Sequence, residues 1–415
     1  MVGQTLAQKL VARAAGRAAV TPGEIVTCKV DLAMMHDSGG PRRVKPMLER
    51  LGAKVWDPSK VVVITDHYLP EADDDSRRIV RIARDWVREA GVHAFHDAQG
   101  ICHVVLPERG HLRPGMFAVG GDSHSPTGGA FAAYMFGIGA TEMLGVLVTG
   151  EIWLKVPHTI ALEFCGRLAP GVAAKDLILF LLGRFGLDGG RYQAVEYRGE
   201  AIRALAMQER MTLCNMAAEL GAQTGLIASD ETTRQFLKLE DMQVWESDAD
   251  ATLLESHSFK ADEIPPQVAA PHSPANARAA SEFGTVKLDL AYIGACTGAK
   301  LEDLRMAAAV LKGKKAKTRL LVAPASLRDQ QAAEKEGVMQ ALVDAGAEVL
   351  ANSCGICAGY GAYLLPENCV AISSTARNFK GRMGAASSQV YLASPYTVAA
   401  SAVAGRIEDP RGMLQ

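Results

Sequence analysis

One pattern recurs along this chain and constrains its fold more than any other feature. Short apolar, β-branched runs end abruptly in polar, glycine-containing motifs, and Ala-rich, helix-like segments follow several of them. Buried strands that alternate with helices form parallel sheets in α/β proteins. Ligands of such sheets collect at the carboxyl ends of the strands, so the polar motifs are predicted to form a site together. The runs are "KVVVITDHYLP", "MFAVGGDSHSPTGG", "LDLAYIGACTG", "TRLLVAPAS", "AEVLANSCGIC" and "CVAISSTARNF".

The length of the chain predicts more than one domain. A single core rarely extends over 415 residues, so roughly two or three domains are expected. A new strand-rich unit begins near Leu154–Phe164, and the Pro- and Ala-rich stretch Ser256–Phe283 is interpreted as a linker or surface connection. We therefore expect domains at residues 1–156, 157–282 and 283–415.

Charge and the N-terminal segment limit the partners and the compartment. The formal net charge is −2 and no Lys/Arg block stands out, which argues against binding to nucleic acid or to acidic membrane surfaces. The N-terminal segment is amphipathic without the apolar core of a signal peptide, and no apolar run could span a bilayer. We expect a protein of the reducing cytoplasm, where thiols stay free for metal binding or catalysis.

The cysteines fall into two groups. Most lie singly in apolar or small-residue runs, as Cys165 and Cys214 do, and are interpreted as buried small hydrophobes. Cys354 and Cys357 form a CxxC pair after a strand, which fits a redox pair or half of a zinc site, although no second zinc-like motif follows. Cys296 ends another apolar strand, and three thiolates at one sheet edge would suit an iron–sulfur cluster with one iron free of protein ligands. The spacing favours a cluster over zinc without deciding between them.

Carboxylates stand beside imidazoles in several motifs. "TDHYLP" contains Asp66 and His67, and "GGDSHSPTGG" contains Asp122, Ser123 and His124. A neighbouring carboxylate orients an imidazole and raises its basicity, as acid–base catalysis requires. A Ser–His–Asp hydrolase fits poorly because "GDSHS" lacks the closing glycine of a nucleophile elbow, whereas a metal-dependent hydrolase stays open. Similar motifs contain His36, Asp37, His96, Asp97 and His103.

Two later segments add polar groups. "RMTLCNMAAELGAQTG" predicts a helix from near Thr212 to Gly221, which would place Asn215 and Glu219 on one face; a solvated stripe is the alternative.

The second of these segments, "TARNFKGRMG", sets Arg377 and Arg382 around Asn378 in a loop after a strand. Two guanidinium groups in such a loop could clamp a di- or tricarboxylate, although surface arginines are common.

Taken in order, these motifs resemble the aconitase family, and within it the large subunits of isopropylmalate dehydratase and homoaconitase-type hydro-lyases. The resemblance extends over essentially the whole chain and implies an α/β fold: a three-domain core whose parallel-sheet α/β/α domains surround a central iron–sulfur site. The mobile fourth (swivel) domain of single-chain aconitases is expected to be missing, because the sequence stops soon after "LASPYTVAASAVAG". The other matching motifs are "GICH", "GDSH", "RMTLCNMAAELGA", "GACT", "CGIC" and "RNFKGRMG".

The resemblance also implies a cofactor and a set of roles. Cys296, Cys354 and Cys357 would hold one 4Fe–4S cluster whose iron without a protein ligand acts as a Lewis acid. His67, paired with Asp66, would protonate the departing hydroxyl group. The matching residues by implied role are catalytic Asp66, His67, His103, Asp122, His124 and Glu219; substrate-binding His36, Ser123, Arg377 and Arg382; and cluster-neighbouring Asn215 and Asn378.

Partners and substrate follow from the same resemblance. A separate small subunit carrying the swivel domain is expected, and the substrate is expected to be a small 2-hydroxy di- or tricarboxylic acid such as isopropylmalate, homocitrate or a methylated malate. Departures from the family pattern at Arg42, Arg43, Gly298 and Ser353 leave the substrate undecided. Two alternatives are a cluster-free metal hydrolase and an aconitase-like RNA-binding protein, and the near-neutral charge weighs against the second.

Overall fold

The computed structural model describes residues 3–360 and 363–414, in which mostly parallel sheets alternate with helices. The strands in chain order are β1 (Ile25–Lys29), β2 (Leu32–His36), β3 (Val61–Thr65), β4 (Ala94–Asp97), β5 (Phe117–Gly120), β6 (Tyr134–Gly137), β7 (Glu151–Lys155), β8 (Thr159–Cys165), β9 (Ala194–Arg198), β10 (Thr224–Leu226), β11 (Glu255–Lys260), β12 (Gln267–Ala269), β13 (Ala277–Ala279), β14 (Leu290–Ile293), β15 (Arg319–Val322), β16 (Ala347–Val349), β17 (Val370–Ser373) and β18 (Gln389–Ala393).

Helices connect most of these strands. They are α1 (Leu6–Ala14), α2 (Pro41–Leu51), α3 (Asp74–Glu89), α4 (Cys102–Glu108), α5 (Ala140–Thr149), α6 (Ala174–Phe185), α7 (Glu200–Ala204), α8 (Met207–Asn215), α9 (Glu231–Leu237), α10 (Leu301–Leu311), α11 (Leu327–Lys335), α12 (Val338–Asp344), α13 (Gly355–Ala358) and α14 (Pro395–Ala404). Short 3₁₀ helices cover Pro58–Lys60, Ser125–Phe131, Ala261–Glu263, Ala280–Phe283 and Pro410–Gly412. No helix in the described part of the chain has the length and apolar character needed to cross a membrane.

The first sheet is parallel throughout and has the strand order β4-β3-β2-β5-β6. Every residue of β2, β3 and β5 is buried, as expected for strands covered on both faces. The chain runs outward in opposite directions from β2 and from β5, so a crevice opens between the carboxyl ends of these two strands. Such a switch point is where open α/β sheets bind ligands.

Two further sheets follow. The second sheet is parallel in the order β10-β9-β8-β11, and β1 with β7 forms a separate antiparallel pair. The third sheet has the order β13-β12-β18-β17-β14-β15-β16 and is parallel from β18 to β16. Its switch point lies between β14 and β17, the strands that precede "GACTG" and "STARNF".

The α/β class with parallel sheets is confirmed, and each of the six apolar runs contains a strand that ends at its polar motif. The stretch Ser256–Phe283 is more ordered than a linker: β11 joins the second sheet, and β12 and β13 join the third. The domain limits at residues 156 and 283 remain predictions.

A helix is present near Thr212, but the predicted limits, from near Thr212 to Gly221, were wrong. Helix α8 begins at Met207 and ends at Asn215, and a turn follows, so Glu219 does not share a helical face with Asn215. Gly221 ends this turn with φ +78°, where a Cβ atom would lie 2.3 Å from the carbonyl oxygen of Leu187. Glycine is therefore required there.

The loop before α4 ties the first sheet to the third. The backbone N–H of Ile101 donates to Ala325 O at 2.8 Å, and that of Leu327 donates to Gln99 O at 3.0 Å. At the other end of α4 the half-buried Glu108 accepts a hydrogen bond from Ser326 Oγ at 2.9 Å. The junction therefore holds a carboxyl group beside another buried acid, Asp329.

This junction predicts a pH-dependent stability. Burial and the charge of Asp329 raise the pKa of Glu108 from 4.5 to about 8. Between these pH values the folded chain keeps a proton that the unfolded chain releases, so this contribution to stability is complete below pH 4.5 and declines as pH rises towards 8. Glu108→Gln should flatten the decline and raise the melting temperature at pH 8 relative to the wild type. Thermal unfolding from pH 5 to 8, with exposed Glu367→Gln as the control, measures this; equal slopes in all three proteins would contradict it.

Candidate active site

Strand ends of the first and third sheets meet at one cluster of polar side chains. His36 ends β2, Asp66 and His67 follow β3, and Asp122 follows β5, so the first sheet contributes side chains at its switch point. The third sheet contributes Cys296 after β14. Four more of the predicted residues join them: Cys354 and Cys357 beyond β16, Arg377 after β17, and Glu219 from the turn after α8.

Two carboxylates, Asp66 and Asp37, hold His67 in place in the crevice between the ends of β2 and β5, which we call the cleft. Its Nδ1 donates to Asp66 Oδ1 at 2.6 Å, and Asp66 Oδ2 accepts from the Cys102 N–H at 2.7 Å. The buried Asp37 accepts the backbone N–H groups of His67 at 3.0 Å and of Tyr68 at 2.8 Å. These contacts fix the ring and leave Nε2, 3.7 Å from Asp122 Oδ2, as the nitrogen that can reach a ligand.

The two stacked imidazoles at this end differ in charge. His36 and His67 have ring centroids 4.0 Å apart. Burial opposes a charge on His67, but the carboxylates of Asp66 and Asp122 raise its pKa well above 6.5. Burial and the neighbouring His67 lower the pKa of His36, whose Nε2 donates to Gly121 O at 3.0 Å. The site therefore contains one proton donor stacked on one neutral ring.

A second chain of contacts runs through Asp122 to Glu219. Asp122 Oδ1 accepts from His103 Nε2 at 2.7 Å and from the His124 backbone N–H at 2.8 Å. Glu219 Oε1 accepts from His124 Nε2 at 3.0 Å and from Arg377 Nε at 2.5 Å. These contacts thus link residues that follow β5 of the first sheet and β17 of the third sheet through Glu219, in the turn after α8.

These contacts keep both carboxylates ionised. Burial alone would raise the pKa of Glu219, but the charges and hydrogen bonds of His124 and Arg377 lower it to about 2. Burial likewise opposes ionisation of Asp122, and His103 overcomes it, so the pKa lies well below its usual range. A cavity of about 390 Å³ lies beside these hydrogen-bonded side chains and is lined in part by Asp122, Ser123 and Arg377. Arg377 Nη1 also donates to Ser123 Oγ at 2.9 Å.

The three predicted thiol groups are buried at the same place. Burial and the charge of Cys357 raise the pKa of Cys296 to about 12, while its Sγ accepts from Asn215 Nδ2 at 3.2 Å. A hydrogen bond from Cys354 and the charges of Arg382, His124 and Arg377 lower the pKa of Cys357. The Cys354 N–H donates to Asp66 O at 2.8 Å. This bond connects the loop that carries Cys354 and Cys357 to the Asp66–His67 pair.

Two buried lysines, Lys300 and Lys175, donate hydrogen bonds to Cys296 and to its neighbour Thr297. Lys300 Nζ donates to Cys296 O at 2.9 Å and to Asp303 Oδ2 at 2.6 Å. Lys175 Nζ donates to Thr297 Oγ1 at 3.2 Å and to the carbonyl oxygens of residues 374 and 375. Lys175 has no carboxylate within 4.0 Å among the described residues. A buried cation without an acidic partner is expected where an anion binds nearby.

The structure brings together most, but not all, of the residues that the sequence singled out. Asn215 also donates to Thr127 Oγ1 at 2.8 Å, whereas Asn378 donates to the backbone carbonyls of Ala270 and Val390, both at 2.9 Å. His96 Nε2 lies 2.7 Å from His111 Nε2 instead of contacting the cluster, and Asp97 pairs with Arg84. Cys165, interpreted as buried, is exposed.

Sequence reasoning did not assign a role to Asp37 or Lys175. Asp37 was visible as the partner of His36 in "MMHDSGG", but its contacts are to backbone N–H groups that no pattern reveals. Lys175 had a signal: it is a lysine in the apolar segment "AAKDLILFLL", where a charge needs a buried partner.

Ionised acid–imidazole pairs beside buried thiols at the ends of parallel strands are typical of an α/β enzyme that binds a metal or cluster. The Aconitase family (aconitate hydratase) model matches residues 8–287 and 276–405. The chain therefore belongs to the aconitase family.

Its relatives match over almost their whole length. It is 43% identical over 421 residues to the 3-isopropylmalate dehydratase large subunit 1 of Methanopyrus kandleri, covering 100% of both chains. It is 42% identical to the 3-isopropylmalate dehydratase large subunit of Moorella thermoacetica, again over 100% of both chains. It is 45% identical to the probable methanogen homoaconitase large subunit of Methanosarcina mazei, over 92% of this chain and 98% of the relative. The holo-form crystal structure of Thermococcus kodakaraensis aconitase X aligns with a TM-score of 0.49 and 12% identity, covering 85% of this chain and 84% of that chain.

Membership of this family implies an iron–sulfur cluster, and the residues around the thiols fit one. Several buried polar atoms there lack a hydrogen-bond partner in the described part of the chain. Such atoms are rare in proteins unless a ligand, ion or water completes them. Three thiols with adjacent buried cations supply the ligand type and the compensating charge that a cluster requires. The atoms are Asn215 Oδ1, Glu219 Oε2 and Arg382 Nε.

Proposed function

We propose that this protein is the large, catalytic subunit of a hydro-lyase that dehydrates and rehydrates a small 2-hydroxy di- or tricarboxylic acid of the isopropylmalate, homoaconitate or methylated-malate type. The observation that carries the proposal is the buried Asp66–His67 pair, which directs a protonated Nε2 towards Asp122 beside three buried thiols. Full-length similarity to proteins named as dehydratase and homoaconitase large subunits supports it.

Cys296, Cys354 and Cys357 would hold a 4Fe–4S cluster with one iron free of protein ligands. When bound, that iron would supply Lewis acidity that weakens the bond between the substrate carbon and its hydroxyl group. Asn215 already donates to Cys296 Sγ, and Lys300 donates to the Cys296 carbonyl. These donors stabilise negative charge on the ligand before any substrate binds.

His67 would be the general acid. Its pKa is raised by Asp66 and Asp122, so the ring carries a proton at neutral pH, and Nδ1 is already committed to Asp66. Nε2 therefore holds the proton that can pass to the departing hydroxyl oxygen, giving water and a carbon–carbon double bond once the substrate's C–H proton is removed. The neutral His36 ring, stacked on His67, would lie on the substrate side without adding a second positive charge.

The remaining residues would hold water and carboxylates. Asp122 with His103, and Glu219 with His124, would orient the released water. Arg377 and Arg382 would bind substrate carboxylates, with Ser123 beside Arg377. Asn378, which donates to the backbone carbonyls of Ala270 and Val390, would keep the loop that carries Arg377 and Arg382 in place.

None of these residues is suited to be the base that removes the carbon-bound proton, which supports a separate small subunit. The pKa values of Asp66 and Glu219 are about 2, and that of Asp122 lies well below its usual range, so all three are weak bases for a carbon-bound proton. The relatives are named as large subunits, which implies small-subunit partners for them. We infer that a small subunit supplies the base and covers the cleft.

The two-subunit proposal predicts a titration curve. The cluster-loaded chain alone should show almost no turnover, because positioning and general-base contributions are each worth several kcal/mol. Adding the cognate small subunit should restore activity and saturate near one-to-one. The assay follows the ultraviolet absorbance of the enoate product, with a panel of 2-hydroxy diacids as substrates. Full turnover without any partner would contradict the proposal, and the best substrate of the panel identifies the acid.

A cluster-free metal hydrolase is the second candidate. It is favoured by ligand atoms of His103, Asp122 and His124 that all lie within 4.8 Å of one another. Those atoms already bond to each other or to Glu219, which argues for a hydrogen-bonded network. A colourless protein after anaerobic purification and reconstitution, with hydrolysis dependent on added zinc, would establish this alternative.

A further inference from the structure

Tyr292 ends in a hydroxyl group that has no partner in the described chain. It lies on β14, a central strand of the third sheet, and 0% of its surface is exposed. Its hydroxyl oxygen is buried and makes no hydrogen bond with the described residues. Buried tyrosine hydroxyls almost always find a partner, and an unpaired one destabilises the fold. Phenylalanine would fill the same space without this cost, so a partner outside the polypeptide would offset the cost of the hydroxyl, and the surroundings of the ring show which partner is within reach.

Gly294 positions this hydroxyl at the turn that carries the first thiol. A Cβ atom on Gly294 would lie 2.0 Å from Cζ of Tyr292 and 2.2 Å from its hydroxyl oxygen, so the ring end rests against the Gly294 backbone. Gly294 precedes Cys296 by two residues. Tyr292 also lines a small cavity together with Ser353 and Gly355 of the CGIC loop. The ring therefore lies between the two segments that carry the thiols.

The three cysteines lie close enough to Tyr292 to affect the pKa of its hydroxyl group. Burial is the first reason that the pKa of Tyr292 lies well above its usual value of 10, and the charges of Cys357, Cys354 and Cys296 raise it further. The phenol therefore stays protonated and can only donate or accept as a neutral group. Beside the thiolate and sulfide sulfurs of a bound cluster, a neutral O–H group would act as a hydrogen-bond donor.

We propose that the Tyr292 hydroxyl donates a hydrogen bond to sulfur of the cluster, either a thiolate ligand or an inorganic sulfide, and so tunes its reduction potential. Tyr292 is a positioning residue in this role and takes no part in proton transfer. Hydrogen bonds to cluster sulfurs stabilise the more negative, reduced state and raise the potential. The inference rests on the proposed function, because it requires a cluster on Cys296, Cys354 and Cys357.

Tyr292→Phe tests this with readouts that do not depend on turnover. In the cluster-loaded chain the reduction potential, measured by titration followed by electron paramagnetic resonance, should shift to more negative values. The deuterium-sensitive shift of the iron–sulfur resonance Raman bands should decrease. Melting temperatures should change with opposite sign: higher than wild type in the chelator-stripped chain, which loses an unpaired hydroxyl, and lower in the loaded chain, which loses a hydrogen bond.

Tyr197→Phe is the matched control. Tyr197 is also buried with an unpaired hydroxyl, but it lies near Cys214 and Glu219 instead of the three thiols. It should leave the potential unchanged and raise the melting temperature of both forms. If Tyr292→Phe behaves like this control, the inference is wrong while the proposed function stands. If the wild-type chain takes up no iron and sulfide, both are overturned together.

Discussion

Cys296→Ser, Cys354→Ser and Cys357→Ser should each abolish the visible absorbance and the activity of the reconstituted protein. Iron–sulfur clusters are held by thiolates, and a serine hydroxyl at these buried positions stays protonated and cannot replace one. Cys296 Sγ already accepts from Asn215, so the loss of sulfur also removes a contact that orients the ligand. Iron and sulfide content, the visible spectrum and turnover with the small subunit are the measurements, with circular dichroism to verify folding.

Two cysteines outside the site serve as matched controls. Cys165 is exposed, with Sγ 3.6 Å from Ser258 Oγ, and Cys369 is buried in the turn before β17. Serine at either position should keep iron, colour and turnover, because neither side chain lies among the three thiols. If all five variants retained iron and activity, the cluster assignment would be wrong. Loss of iron from a control variant would instead point to general unfolding.

His67→Ala should lower kcat by roughly 10²–10⁴-fold, the usual range for a lost general acid or base. The reason is local: Nδ1 is bound to Asp66, the pKa is raised, and Nε2 is the nitrogen directed into the cleft. The assay uses the two-subunit enzyme at saturating substrate. Cluster content is measured on the same samples, because Asp66 O also accepts from the Cys354 N–H and a disturbed loop could release iron.

His96→Ala is the control for this result. His96 is half-buried and contacts His111 instead of the cluster of site residues, so kcat should stay close to the wild-type value. Equal and small losses in the two variants would show that His67 is not the acid. A large loss in the His67 variant with normal iron content would support its role in proton transfer.

Local sequence patterns predicted the positions of the strands that carry the site residues. The strands before "DHYLP", "GDSH", "GACTG", "NSCGIC" and "STARNF" are where the apolar runs placed them, because a buried parallel strand leaves a continuous apolar signature. Helix α8 was misplaced because its burial is nearly uniform, so no periodic contrast marks its ends. Within Ser256–Phe283, β12 and β13 were missed because they are three residues each, too short to produce a pattern.

The sequence by itself determined the α/β class, the family and the types of chemistry, since strand length, turn residues and ordered motifs are local properties of the chain. Only the tertiary structure decided which strand ends meet. Glu219 and Arg377 are 158 residues apart and share a hydrogen bond, and Asn215 reaches Cys296 across 81 residues. The unpaired hydroxyl of Tyr292 is visible only in three dimensions as well. The physical reason is that strand order and sheet contacts are set by long-range packing, which no local pattern encodes.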